Sequence, residues 1–107
     1  MLARIQLLSP PLRGQPVQVR LLIDHPMETG LRFDFSGNAV PKNVVHTLQA
    51  DYAGQTVFRA KFGPGISANP FLQFWLLPTE SGRLRVHWHD DLGQTGEISA
   101  RVELAPA

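Results

Sequence analysis

The stretch VQVRLLID, residues 17–24, decides the fold, because bulky apolar side chains recur at every second position. Val17, Val19, Leu21 and Ile23 form one row, and the residues between them are mostly polar. A period of two is typical of a β-strand with one buried face, since successive side chains of a strand point to opposite sides. The stretch therefore predicts a strand and not an amphipathic helix.

The same alternation continues along the chain, in short segments bounded by Gly, Pro, Asn or Ser, which favour turns. No window of ten residues has the apolar spacing of an amphipathic helix. Short strands separated by turns are typical of an all-β sandwich, and we predict about seven of them. The segments that alternate lie at residues 4–8, 17–23, 31–35, 44–52, 57–62, 71–77, 84–88 and 98–104.

Length and composition limit the architecture and the function. A chain of 107 residues has the size of one domain, so we expect residues 1–107 to form a single sandwich domain. Lys plus Arg number 10 and Asp plus Glu 9, without a basic stripe, which argues against nucleic acid as the main ligand. The longest run of bulky apolar residues, 74–77, is too short to cross a membrane. Residues 1–14 contain no readable signal peptide.

Two hairpins allow a prediction of register, because core-facing residues oppose one another across an antiparallel pair. In the last hairpin we expect Trp88 to lie in the core, opposite Ile98, with Val86 opposite Ala100. In the hairpin around residues 52–55, a register that pairs Ala50 with Phe58 and Leu48 with Ala60 keeps the apolar face together. That register requires a three-residue loop or a β-bulge.

A metal site is the main alternative to a purely structural interpretation of the polar residues. His87 and His89 point the same way from one strand, and with Asp91 or His25 they could bind a metal ion. The sequence shows no third ligand beside them, and the absence of Cys removes thiolate sites and Cys nucleophiles. We expect no cofactor, no stoichiometric metal and no catalytic residue, and keep a small metal-binding sandwich protein as the alternative.

The segment FLQFWLL, residues 71–77, is apolar on both faces of its predicted strand except at Gln73. One face can enter the core, so the other needs a cover, which is either a loop of this chain or another protein. The sequence does not decide between a loop of this chain and another protein. It also leaves open whether Phe71 and Trp75, or instead Phe74 and its neighbours, form the outward side.

Several motifs resemble the SoxZ family of sulfur-oxidation proteins, over roughly residues 16–104. They are HPMETG at 25–30, DYAGQTVF at 51–58, ANPF at 68–71, ESG at 80–82, and Trp88 followed by Asp90, Asp91 and Gly93. HPMETG followed by ANP is the most specific combination. Phe33 and Phe35 depart from a segment that is often polar in the family, and Ala53 stands where Asn is more usual.

The resemblance implies a function that composition does not show. SoxZ proteins are immunoglobulin-like β-sandwiches that act as the non-catalytic subunit of the SoxYZ carrier in thiosulfate oxidation. The cysteine-bearing SoxY partner carries the sulfur intermediates, in the periplasm, and the pair makes transient contact with other Sox enzymes. The lack of Cys suits this role, since a second thiol could capture the cargo by exchange. Export together with the partner would explain the missing signal peptide.

On this basis we expect association to be the function. The isolated chain should be prone to form a homodimer when its partner is missing, because the apolar centre of an interface favours self-association when it is left exposed to water. The residues that we expect to take part in partner binding are His25, Met27, Glu28, Gly30, Asn69, Phe71, Phe74 and Trp75.

Overall fold

The computed structural model describes residues 3–63, 66 and 68–105. Seven β-strands form two antiparallel sheets that pack as a sandwich, which confirms the predicted all-β, immunoglobulin-like class. One sheet has the order β1-β2-β5 and the other β4-β3-β6-β7. The strands are β1 (Ala3–Leu7), β2 (Val17–Ile23), β3 (Val45–Tyr52), β4 (Gln55–Lys61), β5 (Phe71–Leu76), β6 (Gly82–Asp90) and β7 (Thr95–Val102).

The core lies between the inner faces of the two sheets. The alternation that predicted β2 is confirmed, since its four apolar residues at odd positions are all buried. Trp88 of β6 is 1% exposed and is the largest fully buried side chain, so its predicted place in the core is also confirmed. Truncation of a buried side chain of this size to alanine lowers the free energy of unfolding by roughly 3 to 5 kcal/mol.

The predicted register of β6 and β7 is wrong by two residues. Trp88 lies opposite Gly96, and Val86 lies opposite Ile98. A shift of two leaves every side chain on its own face, so alternation could not distinguish the two registers. The choice depends on the space beside the indole ring, because a Cβ atom at Gly96 would overlap that ring.

The predicted hairpin of β3 and β4 is confirmed. Ala50 pairs with Phe58 and Leu48 with Ala60, and a β-bulge follows Ala50. Ala53 and Gly54 both have positive φ, 51° and 81°, as a two-residue type I′ turn requires. The tight turn and the bulge together therefore keep the apolar residues of both strands on one face.

The strand predicted at 31–35 is absent, and this is a second correction. Residues 28–43 form an extended loop, which we call the arm, with isolated bridges between Glu28 and Asn43 and between Phe33 and Ala39. The arm's alternating Leu31, Phe33 and Phe35 are all exposed, so no sheet covers either side of it. Alternation indicates extended backbone, but only packing against a sheet makes a buried strand.

Candidate partner-binding surface

The outer face of the three-stranded sheet carries large exposed apolar side chains. Phe71 and Trp75 of β5 are 53% and 65% exposed, and Leu22 of β2 lies beside Phe71 in register. The Arg20 guanidinium lies over the Phe71 ring at 5.4 Å from its centroid, which is cation–π geometry. The patch, defined as Leu22, Phe71, Trp75 and the following Leu77, is therefore divided by a polar pair, Gln73 and Arg20, that lies between Phe71 and Trp75 on the same face.

Phe74 lies on the opposite side of β5, inside the sandwich. Its side chain is 5% exposed and stacks on Phe58 of β4, with ring centroids 4.7 Å apart and planes 8° from parallel. This contact joins the two sheets along the side where β4 and β5 are the edge strands. The question that the sequence left open therefore has an answer: Phe71 and Trp75 face outward, and Phe74 cannot offer its ring to a partner.

A surface depression of about 420 Å³ adjoins the apolar patch. It is lined by Ala3, Arg4, Leu22, Asp24 and Asn69. The lining includes one cation, one anion and an amide, so it differs in chemistry from the aromatic part of the patch. Such a recess beside a flat apolar face suits a protruding polar side chain of a partner.

His25 is buried and holds a polar cluster together at the end of the sandwich. The Met27 N–H donates to His25 Nδ1 (2.9 Å), so this nitrogen is the acceptor of the ring. Nε2 then carries the proton and donates to Asp90 Oδ2 (3.1 Å). Both ring nitrogens are thus used inside the protein, and His25 supports the loop without forming a contact surface.

Asp90 is the acceptor at the centre of this cluster. Its Oδ1 accepts from the N–H groups of Leu92 and Gln94, which closes the turn between β6 and β7. Burial raises the pKa of Asp90, but hydrogen bonds from His25, from the Gln94 N–H and from the Asn43 side chain outweigh it. The pKa of Asp90 is therefore held below its ordinary value.

Asn69 connects the same cluster to the start of β5. Its backbone N–H donates to the His25 carbonyl (2.7 Å), and its side-chain Oδ1 accepts from the His25 N–H (3.2 Å). Its φ of 55° is left-handed, a conformation that Asn tolerates better than most residues. Asn69 thus connects the buried His25 by hydrogen bonds to the exposed Phe71, which lies two positions further along the chain.

The remaining residues of the HPMETG motif build the base of the arm. Met27 is buried, and its sulfur accepts from the Val45 N–H (3.3 Å). Glu28 receives a bidentate ion pair from Arg32, whose hydrogen bonds lower the Glu28 pKa, and its N–H donates to the Asn43 carbonyl. Gly30 has a φ of 89°, where a side chain would be strained and would press on Lys42. The motif therefore anchors the arm through the buried His25 and Met27, while Pro26, Thr29 and Gly30 are exposed and Glu28 is half-buried.

The tip of the arm is an ordered turn that presents aromatic side chains. Asp34 Oδ1 accepts from the N–H groups of Ser36 and Asn38, and the Asp34 N–H donates to the Asn38 carbonyl. Phe35 is nevertheless fully exposed to solvent, and Phe33 is 67% exposed. The arm is thus a second exposed apolar element, on a molecule that measures 60 × 22 × 19 Å.

The histidines of the metal alternative lie apart from the cluster around His25. His87 contacts Asp51 of the neighbouring strand (3.4 Å), and His89 packs edge-on against His46, with centroids 4.3 Å apart. Asp91 pairs with Lys42 instead. Within residues 3–63, 66 and 68–105, the structure brings together no group of three His, Asp or Glu side chains suited to a metal ion.

Sequence reasoning missed the role of Asp90, which accepts from the buried His25 ring, and of Asn43, whose side chain hydrogen-bonds Asp90. The signal that could have found Asp90 is its position at the end of β6, where the alternation places a carboxylate on the inner face. A charge on a core face needs hydrogen-bond donors.

No helix in the described part of the chain is long and apolar enough to cross a membrane.

Fold and surface together define an antiparallel β-sandwich with a buried polar cluster around His25 and with exposed aromatic side chains on one sheet face. Residues 5–101 match the family model described as sulphur oxidation protein SoxZ, so the chain belongs to the SoxZ family. This confirms the resemblance and implies a role in the Sox sulfur-oxidation system. Members of this family are generally non-catalytic subunits of a carrier complex with SoxY, and they typically function in the periplasm.

Solved structures with the same fold have diverged far in sequence. Superoxide reductase (neelaredoxin) from Ignicoccus hospitalis is 21% identical with a TM-score of 0.72, over 96% of this chain and 80% of that one. The reduced form of a variant of the Archaeoglobus fulgidus enzyme is 16% identical with a TM-score of 0.68, over 96% and 88%. A hypothetical protein from Pyrococcus horikoshii OT3 is 16% identical with a TM-score of 0.61, over 96% and 87%.

At this level of identity the likeness shows a shared fold and nothing about chemistry. No curated protein matches this sequence significantly.

Proposed function

We propose that this chain is the non-catalytic, partner-presenting subunit of a SoxYZ-type carrier in thiosulfate oxidation. It binds a SoxY-like subunit whose cysteine carries the sulfur intermediates, and it works in the periplasm. Residues 1–107 act as one binding domain, without a cofactor. The observation that carries the proposal is the pair of exposed aromatic side chains, Phe71 and Trp75, on the outer face of β5 in a member of the SoxZ family.

The outer face has the properties of an interface centre. Its largest exposed side chains, Phe71 and Trp75, are aromatic, and the charged group nearest to Phe71, Arg20, already lies against that ring. Interface centres are depleted in free charge and enriched in aromatic residues and Arg. Phe71 and Trp75 are therefore the anchors in this proposal, and the depression lined by Arg4 and Asn69 takes a polar group of the partner.

The other expected binding residues act in two ways. Glu28 and Gly30 lie at the surface of the arm base and can touch the partner. His25, Met27 and Phe74 are buried, so their contribution is to hold the arm, Asn69 and β5 in position.

The arm is the second contact of the proposed function. Its cations are already paired, Arg32 with Glu28 and Lys42 with Asp91, while Phe33 and Phe35 are free to pack against another surface. A narrow tip fits a small, short-lived contact better than an obligate interface, which is large and flat. We assign the transient contacts with other Sox enzymes to this tip.

Calorimetric titration of the SoxY-like partner into two matched variants tests the proposal. Trp75→Ser removes an anchor of the patch, and Leu92→Ser removes a side chain of nearly equal exposure, 62%, in the turn after β6. We expect Trp75→Ser to weaken binding roughly tenfold or more, as anchors at interface centres do, and Leu92→Ser to leave it unchanged. If Trp75→Ser binds as tightly as the parent, the interface lies elsewhere.

Phe74→Ser completes the test from the other side of the same strand. Because Phe74 is buried, this variant should lower the free energy of unfolding instead of weakening a direct contact. A Phe74→Ser variant with parental stability and impaired binding would contradict the assignment of the two faces.

A further inference from the structure

The two sheets end in four edge strands, and β5 differs from the other three. Edge strands in proteins are protected against pairing by charges, prolines, bulges or short length. β1 is short and carries Arg4, β4 carries Arg59, Lys61 and the bulge, and β7 carries Glu97 and Arg101. β5 has no charged residue, no proline and no bulge in its register with β2. It is therefore the one unprotected edge of the described sheets.

The backbone groups at this edge can be assigned from the ladder with β2. The Ile23 N–H donates to the Pro70 carbonyl, so Pro70 and every second residue after it direct their backbone groups toward β2. Phe71, Gln73 and Trp75 must then direct their N–H and C=O groups away from β2. Within the described residues no strand lies on that side, and no other hydrogen bond uses these groups.

The sequence of β5 is self-complementary in antiparallel pairing. A two-fold axis at Gln73 sets Gln73 against its own copy and Phe71 against Trp75 of the second chain. Each pair then joins two residues whose backbone groups point to the free edge, so all of them are satisfied at once. The aromatic side chains meet on the outer face, where aromatic cross-strand pairs are favourable, and no like charges oppose each other.

We propose that the free edge of β5 pairs with β5 of a second copy of this chain, in the register centred on Gln73. The product is a continuous six-stranded sheet of the order β1-β2-β5-β5-β2-β1. The pairing places Phe71 beside Trp75 of the second chain, so it competes with the SoxY-like partner for the same strand. It does not depend on the proposed function, since only the chain itself takes part.

Single cysteines in the otherwise cysteine-free chain test the register. Gln73→Cys lies on the two-fold axis, where paired Cα atoms are about 5.5 Å apart, within disulfide range. Phe71→Cys, on the same face of the same strand, lies about 13 Å from its copy. Under mild oxidation, at a protein concentration where the parent chain is dimeric, we expect a cross-linked dimer of Gln73→Cys and no cross-link in Phe71→Cys. Equal cross-linking of the two variants, or none in Gln73→Cys, would overturn the proposal.

Hydrogen exchange of the unmodified chain supplies a test that does not need a variant. In the dimer, the Gln73 and Trp75 amides should be protected at high protein concentration and should lose protection on dilution. The Leu72, Phe74 and Leu76 amides, bonded to β2, should stay protected at both concentrations. A dimer whose Gln73 and Trp75 amides exchange freely, or a chain that is monomeric at every concentration in sedimentation, contradicts the proposal.

These results are separable from the proposed function. A chain that shows concentration-dependent protection at Gln73 but does not bind the SoxY-like partner would overturn the proposed function alone. A chain that binds the partner but never self-pairs would overturn only the present inference.

Discussion

The two tryptophans lie in strands of similar pattern but in opposite surroundings. Trp88, on the inner face of the four-stranded sheet, is 1% exposed, whereas Trp75, on the outer face of the three-stranded sheet, is 65% exposed. Trp88 fills space that Gly96 leaves open, while Trp75 has only solvent above it in the isolated chain. The comparison teaches that the inner face of this sandwich is built for stability, and that the outer face of β5 is available for the association that we propose.

The largest effect should come from removing the buried member of the pair. Trp88→Ala leaves a cavity in the core, and we expect it to lower the free energy of unfolding by roughly 3 to 5 kcal/mol. Chemical denaturation monitored by far-UV circular dichroism measures this, because the signal does not depend on the lost indole. A loss below about 1 kcal/mol would mean that the region around Trp88 tolerates a void, against the close packing of cores.

The next effect concerns the polar anchor at the end of the strand that carries Trp88. Asp90→Asn keeps the shape of the side chain but sets an NH₂ group against the N–H donor of His25 or those of the turn. We expect it to lower the free energy of unfolding by about 2 to 3 kcal/mol. His25 cannot adapt by moving its proton, since Nδ1 must accept from Met27. Leu92→Ser, in the same turn but exposed, is the control and should lose little.

The pH dependence of stability checks the same carboxylate. Because the folded-state pKa of Asp90 is lowered, its stabilising contribution is complete above the unfolded pKa of about 4. The contribution is lost as the pH falls through the lower folded value. The parent should therefore lose more stability between pH 5 and 2, roughly the span of this titration, than Asp90→Asn does. Parallel curves for the two proteins would show that Asp90 does not titrate as described.

A smaller effect is expected when the partner of Trp88 is enlarged. Gly96→Ala places a Cβ atom where the indole ring lies, so the ring must move, at a cost of about 1 to 3 kcal/mol. Gly63→Ala is the control, since Gly63 has open space around the new atom and, like Gly96, no positive φ, so it adds a Cβ atom without the overlap. If Gly96→Ala is as stable as the parent in thermal unfolding, the register that places Gly96 opposite Trp88 is wrong.

The smallest effect on stability should come from the exposed member of the pair. Trp75→Ser removes little buried area, and surface substitutions of this kind change the free energy of unfolding by about 0.5 kcal/mol or less. Denaturation of the isolated chain, at concentrations where it is monomeric, gives this value. A loss as large as that of Trp88→Ala would erase the distinction between the two faces.

The sequence by itself determined the fold class, because period-two alternation is a local property of extended backbone with one buried side. It also determined the β3–β4 register, since there a slip of one residue would have mixed polar and apolar faces. The family followed from local motifs in the same way, HPMETG and ANP above all.

Only the tertiary structure decided the features that depend on contacts between distant residues. The register of β6 and β7 was invisible to alternation, because a shift of two preserves both faces and only the steric fit of Trp88 over Gly96 selects one. The burial of His25 required Asp90, 65 positions away, to supply an acceptor. Which side of β5 faces solvent depended on Phe74 finding Phe58 across the sandwich, since a strand that is apolar on both faces has no inward side until a second sheet packs on it.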